Sequence, residues 1–300
     1  MHLTSSALPR LHALFSAPSL TGEVLSRAAK DSDAAFAAFH CGTIAELSLN
    51  GAPQSMVVSI QELDDRSRIT GFVKAVCHGF DPGTPQLYLE MAHLDHWTHL
   101  DNVMPGTVVS NTDHMAMEAW ERTEFFQKFR HRIGSRQTAI VHFEIPDVHG
   151  RILKFLYDSG EGRLLTPGLS KDDIEFASVP FMVCWMMRCD FIDEATARRW
   201  LSMLSGLSPT QLFFLRDLAN STGYDPAVSA ARIGLTRDDL LRQMAAAPQL
   251  VFQSADRLGP KDMDAERMAA LAQGFSFLQM TGRPVTRAQL DLVAHPFKRH

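Results

Sequence analysis

The sequence predicts an α+β protein: an N-terminal α/β domain over residues 1–190, then an all-α domain over residues 191–300. Three observations predict it. Residues 138–145 (TAIVHFEI) and 152–159 (ILKFLYDS) are two strand-like runs joined by the turn chemistry of PDVHGR. Beyond Gly162 strands give way to helices, and helix-start signals recur. The charge also divides: the chain carries −5 overall, which separates into −9 over residues 1–195 and +4 over residues 196–300. Such an asymmetry suits an acidic part joined to a basic, anion-facing part. With 300 residues, 45% hydrophobic and 21% charged, the composition excludes disorder, collagen and a disulfide-stapled miniprotein, and suits two domains.

The elements follow in chain order. Residues 7–29 place Leu8, Leu11, Leu14 and Phe15 at helical spacing. Residues 34–49 fit two short strands or a helix. SMVVSIQEL is rich in β-branched residues and reads as a strand. ITGFVKAVCHGF fits a helix or a strand, and Asp81-Pro82-Gly83 is a turn. LYLEMAHLDHWTHLD reads as a helix, with Leu87, Met91, Leu94 and Trp97 near helical spacing. DHMAMEAWERTEFFQKFRHRIG reads as one long amphipathic helix ending at Gly134. In the hairpin, Ala139, Val141, Phe143 and Ile145 share one face.

In the C-terminal part, Ser208-Pro209-Thr210-Gln211 is close to an ideal capping box. Asp225-Pro226, Thr236-Arg237-Asp238-Asp239 and Thr286-Arg287-Ala288-Gln289 are further starts, and Gly206, Gly223, Gly234 and Gly282 mark stops. The expected helices cover about 193–205, 209–221, 226–233, 237–247, 263–281 and 287–294. Three of them fit a helix-turn-helix at 207–247. Helix 209–221 supports. Helix 226–233 packs through Val228, Ala231 and Ile233. Helix 237–247 presents Arg237, Asp238, Arg242 and Gln243 outward, side chains suited to base edges and phosphates.

Residues 207–244, LSPTQLFFLRDLANSTGYDPAVSAARIGLTRDDLLRQM, resemble the DNA-binding part of the LuxR-type family of bacterial transcription regulators. They share its opening Leu-Ser/Thr-Pro, the Leu-x-x-Leu-Ala of its first helix and the Ala-x-x-Ile-Gly-Leu-Thr/Ser entry to recognition. Residues 105–129 with the hairpin are similar to the sensor part of the larger members, whose folds are PAS- or GAF-like. The resemblance implies a transcription regulator in which Arg232, Thr236, Arg237, Arg242 and Gln243 meet DNA, with a small-molecule or protein effector at the N-terminal domain and a homodimeric state. Helix 263–281, with Met268, Leu271, Phe275 and Leu278, fits a dimer seam or a cover for the domain core. The chain departs from the family in places. Two extra residues lie near Thr222-Gly223-Tyr224, the usual glutamates of the first two helices are missing, and Asp238 and Asp239 open the recognition helix. They suit its dipole but repel phosphate. A protein-interaction module, binding polymerase or a second regulator through the same helices, is the competing class.

Trp97, Trp120, Phe125 and Phe126 fall at helix-compatible spacing and read as core. In a PAS-like sensor such aromatics also line a cavity, so Trp97, Trp120 and Phe125, with Phe143, are the candidate ligand residues. The tryptophan, tyrosine and Asp-Pro pattern of acyl-homoserine-lactone sensors is not matched, and that ligand is not expected. Lys128, Arg130, His131, Arg132 and Arg136 form a basic run, read as a solvated helix end or else as a contact for an anionic ligand, DNA or polymerase. His93, His96 and His99, near Asp95, Asp101 and His114, read as a solvated face rather than a metal site. No G-x-S-x-G, P-loop or G-x-G-x-x-G occurs, so neither catalysis nor a cofactor is expected. The four cysteines form no CxxC and read as reduced, small buried residues. With no apolar run near membrane-spanning length and no signal-peptide core, a cytoplasmic protein without a membrane partner is expected.

Overall fold

The computed structural model describes residues 18–48, 51–65, 68–95, 106, 108–113, 115–145, 148–160, 164–165, 171–198, 201, 226–232 and 235–239. By contacts the chain divides into two compact units, residues 27–182 and residues 1–26 with 183–300. The 27–182 unit is a mixed α and β layer structure around one antiparallel sheet.

Its helices and strands run in the order α1 (Pro18–Lys30, which begins in the other unit), α2 (Asp33–Glu46), β1 (Ser55–Leu63), β2 (Ile69–His78), α3 (Thr84–Met91), β3 (Val109–Ser110), α4 (Met117–Glu121), β4 (Gln137–Glu144), β5 (Arg151–Ser159) and α5 (Lys171–Arg188, which ends in the other unit). The five strands are ordered β2-β1-β5-β4-β3, every neighbouring pair antiparallel. β5 is therefore the central strand. Strand β1 coincides with SMVVSIQEL, and the β4–β5 hairpin lies where the alternation puts it. The ambiguous run after Ile69 is strand β2. Its turn is closed by Asp81, whose carboxylate accepts from the Gly83 amide at 2.7 Å. At Gly79 φ is +73° and an added Cβ would lie 2.6 Å from Ser55 Cβ, so no other residue fits without displacement.

Residues 34–49 resolve to a helix, α2, capped by Ser32, whose side chain accepts from the Ala35 amide. The expected long helix over 113–134 is broken, and this is a correction. A short 3₁₀ turn, Asn111–Asp113, is followed by α4 and then by a π-helical turn, Phe126–Arg130. Thr123 makes the break. Its hydroxyl donates to the Trp120 carbonyl at 2.7 Å and accepts from the Phe126 amide at 3.2 Å, ending one helix and capping the next. Gly134, at φ +71°, is the stop expected there. Helix α5 is absent from the expected helices. Residues 180–186 are buried all round, so no amphipathic period marks them, and Pro180 lies inside the helix.

The sheet has two unlike faces. Met56, Val58 and Ile60 of β1, Leu153, Phe155 and Tyr157 of β5, and Ala139, Val141 and Phe143 of β4 form a buried apolar face. This face carries the main core with Phe36 and His40 of α2 and Phe181 of α5. His40 stacks on Phe181 with centroids 3.9 Å apart and planes 10° apart. A hydrogen-bond chain joins the layers. Ser178 Oγ donates to the Ile174 carbonyl at 2.6 Å, so Tyr157 Oη donates to Ser178 Oγ at 2.6 Å. His40 Nε2 then donates to Tyr157 Oη at 2.9 Å, and burial keeps this imidazole neutral, well below its usual pKa.

In the other unit, helix α6 spans Pro226–Arg232, and the chain is helical again at 237–239. The Leu235 amide donates to the Ala230 carbonyl at 2.9 Å, closing α6. The expected packing of this helix is corrected: Ala230 is buried, while Val228 is 60% exposed and Ala231 is exposed. In PAVSAAR, small apolar residues occupy more than one face, and spacing alone does not select between them. Residues 194–198 are also helical. The supporting helix 209–221 and helices 263–281 and 287–294 lie outside the described residues. Among the described residues no helix is long and apolar enough to cross a membrane.

Replacing Tyr157 with Phe removes the hydroxyl that links α2, β5 and α5 and leaves Ser178 and His40 short of a partner. Urea unfolding of the full chain should show a loss of about 1–3 kcal/mol. An unchanged midpoint would show that the chain of hydrogen bonds contributes nothing net.

Candidate functional site

The second face of the sheet is polar, which is unusual for a buried surface. Strand register aligns Ser59 of β1, Lys154 of β5 and His142 of β4 across three strands. They are 3%, 5% and 5% exposed. Gln61 lies one pleat further along β1, and its side chain donates to Ser59 Oγ at 3.0 Å. Val57, Ile140 and Leu156 continue the same face as an apolar floor.

Over this face lies a cavity that opens to solvent, about 530 Å³ of empty space with its open mouth included. Its opposite wall comes from α3 and the π-helical turn, with Tyr88, Phe129 and Ile133. An aromatic cluster of Trp120, Phe125, Phe126 and Phe129 stands behind that wall. Tyr88 packs edge-on to Phe129, with centroids 5.6 Å apart, and its hydroxyl donates to Asp95 Oδ2 at 3.0 Å. Burial and the Asp95 charge push the Tyr88 phenol well above its usual pKa.

Three charged side chains line the cavity: Lys154, Arg130 and Asp95, each no more than 6% exposed. Among the described residues, no hydrogen bond or ion pair is made by the Lys154 ammonium. Burial lowers its pKa from 10.5 to about 8; Asp95 opposes this shift and Arg130 adds to it. Arg130 donates to Ser135 Oγ at 3.3 Å and lies 5.5 Å from the Phe125 and Phe129 ring centroids, while its Nε finds no acceptor. Ser135 in turn donates to Asp158 Oδ1. Burial raises the Asp158 carboxyl to about 6 against the hydroxyls of Ser135 and Ser55 and the Arg130 charge. Gln61 Oε1 and His142 Nδ1 are likewise unpartnered, and burial beside Lys154 holds His142 down to about 4.

A buried surface normally pairs its polar atoms. Here Lys154, Arg130, Asp95, Ser59 and Gln61 meet around one cavity, a lining able to take up a polar molecule. No group of three metal-binding side chains occurs among the described residues.

The expected ligand residues are distributed otherwise. Trp120 and Phe125 are buried in the aromatic cluster, one layer behind Phe129. Phe143 packs on Phe155 on the opposite face of the sheet, with centroids 5.5 Å apart. Trp97 lies outside the described residues. Of the basic run, Arg132 and His131 are exposed and Lys128 pairs with Glu124, but Arg130 is buried, which corrects its reading as part of a solvated helix end. Lys154, Asp95 and Gln61 were not singled out as ligand residues by sequence. Lys154 sits in an ordinary strand run, and its alignment with Ser59 and His142 exists only once strands pair.

Of the expected DNA-contact residues, Thr236 caps the helical turn at 237–239. Its hydroxyl accepts from the Asp239 amide at 3.1 Å and donates to the Asp239 carboxylate at 2.6 Å. Arg237 is exposed and lies 3.5 Å from the Asp238 carboxylate. Arg242, Gln243 and the Arg232 side chain lie outside the described residues. His93 is exposed; His96, His99 and His114 lie outside as well. No protein-family description matches the chain, and no curated protein matches it.

The depressed Lys154 pKa fixes a sign. Between pH 8 and 10.5 the unfolded chain holds this proton and the folded chain does not, so the Lys154 contribution to stability rises with pH and is lost as pH falls to 8. At pH 7 a Lys154→Met variant should be more stable than the native chain by about 1–3 kcal/mol. That advantage should shrink between pH 8 and 10.5, where the native lysine is neutral. Denaturant titrations of both proteins across this range check it; a constant difference would mean that the native ammonium carries no burial penalty.

Proposed function

We propose that the protein is a regulator in which a small molecule, bound in the sheet cavity of the 27–182 unit, controls a C-terminal helix-turn-helix that binds DNA. The observation that carries this reading is the cavity. It is walled by two unlike surfaces, and the charged side chains of Lys154, Arg130 and Asp95 meet in it above an apolar floor. An antiparallel five-stranded sheet in the order β2-β1-β5-β4-β3, with a cavity between one face and the helical turns that cover it, fits the PAS- or GAF-like sensor that the LuxR-type resemblance implies.

The C-terminal half of the reading rests on the resemblance over residues 207–244. Helix α6, its closure by Leu235 and the Thr236 cap agree with the expected order of second helix, turn and recognition helix. In this reading Arg237, Arg242 and Gln243 meet base edges and phosphates, Arg232 meets a phosphate, and a homodimer presents two such units to a divided site.

One observation favours a second reading. The Arg237 guanidinium is turned toward Asp238, and Asp238 and Asp239 place two carboxylates at the front of the helix that should approach DNA. A module that docks on polymerase or on another regulator through this surface accommodates those charges directly.

Binding of the intact protein to fragments of its own genomic DNA, followed by gel shift across a salt series, separates the two. DNA recognition predicts a specific complex whose affinity falls steeply with salt. It also predicts that Arg237→Ala with Arg242→Ala weakens that complex at least tenfold, in the range of about 1–3 kcal/mol for a base-reading pair. Absence of binding at low salt, or indifference to both arginines, selects the protein-docking reading.

A further inference from the structure

We infer that the ligand of this cavity is a small amphipathic carboxylic acid, its carboxylate held between Lys154 and Arg130 and its apolar part laid along Val57, Ile140 and Leu156. The inference rests on the sensor reading above and names the ligand class.

The charges of the wall argue for one negative charge. Lys154 and Arg130 enter the cavity as two cations, on the central strand and on the π-helical turn. Arg130 is partly offset by Asp158, which reaches it through Ser135. Lys154 has only Asp95, which makes no ion pair with it and accepts the Tyr88 hydroxyl. A buried ammonium without a hydrogen bond is costly, and an acceptor carrying a full charge relieves that cost most. The Arg130 guanidinium, which also lines the cavity, adds a second cation on the same wall. His142, aligned with Lys154, is held neutral and takes no part in the charge balance.

The same wall argues against more charge. Asp95 faces the site and repels a dianion, and the floor opposite is aliphatic. A phosphate-bearing ligand would place its second charge against that carboxylate and its oxygens against Val57, Ile140 and Leu156. A neutral amphiphile would fill the floor but leave the ammonium unpaired. An acid with a short aliphatic or aromatic body satisfies both halves of the cavity at once.

The test uses the full chain and three probes of one length: octanoate, octanamide and 1-octanol, measured by calorimetry and thermal shift at pH 7. Octanoate is expected to bind about tenfold or more tighter than octanamide, a difference of about 1.4 kcal/mol. Lys154→Met should abolish that preference while still binding octanamide, and Lys154→Arg should keep it, which controls for a folding defect in the first variant. Equal binding of octanoate and octanamide, or a preference that survives Lys154→Met, overturns the acid and leaves the cavity reading standing. Failure of all three probes to bind overturns both.

Discussion

The 27–182 unit depends on the register of one strand. β5 lies at the centre of the sheet, and its residues alternate between two buried environments of opposite character. Leu153, Phe155 and Tyr157 face the helical core, while Lys154, Leu156 and Asp158 face the cavity side. A slip of one residue would drive Lys154 and Asp158 into the aromatic core and bring Phe155 and Tyr157 into the cavity. The chain of Tyr157, Ser178 and His40 pins the register from the core side. On the other side Asp158 does so through Ser55 and Ser135. Two polar networks on opposite faces thus hold the strand that separates them.

The two networks differ in how complete they are. On the core side the tyrosine, serine and histidine satisfy each other in sequence, and only His40 Nδ1 is left over. Among the described residues on the cavity side, a guanidinium nitrogen, an amide oxygen and an imidazole nitrogen have no hydrogen-bond partner, and the Lys154 ammonium makes no hydrogen bond or ion pair. A half-satisfied buried network is worse for stability than an apolar surface of the same shape. Burial disfavours the charged form of Lys154, so at neutral pH the cavity side costs stability at that lysine. That distribution is expected where function, and not folding, selects the side chains.

Much of the scaffold was legible in the sequence, and the reasons are local. β1 and the β4–β5 hairpin are runs whose period and turn chemistry agree, so their position follows from nearest neighbours alone. Helix α5 was not legible because residues 180–186 are buried all round and carry no period. The cavity was less legible than the scaffold. Its residues come from β1, β2, α3, the turn holding Asp95, the π-helical turn, β4 and β5. Each looks ordinary in its own segment: Arg130 is one cation of a basic run, and Lys154 one polar residue of a strand. The aromatic residues that drew attention as ligand contacts are large and apolar, and the core competed for them successfully. Trp120 and Phe125 support the cavity wall through Phe129, and Phe143 serves the other face.

The break in the expected helix over 113–134 is what brings Arg130 to the cavity. Successive residues of an α-helix turn by about 100°, so inserting one residue rotates everything after it by nearly a third of a turn. Thr123 stops α4 and restarts the chain, and the π-helical turn that follows closes with hydrogen bonds five residues long, from His131 to Phe126 and from Ser135 to Arg130. On one side of that turn Lys128 is left in solvent with Glu124. On the other, Phe125, Phe126 and Phe129 are buried, and Arg130 follows them inward, its charge set against the Phe125 and Phe129 rings. π-helical turns are wasteful as scaffold and recur where a side chain must be aimed. An unbroken amphipathic helix would serve packing equally well and would leave this basic run on the surface. The interruption sets Arg130 inside, at a cavity where Asp95 is the single carboxylate among the charged lining residues Lys154, Arg130 and Asp95.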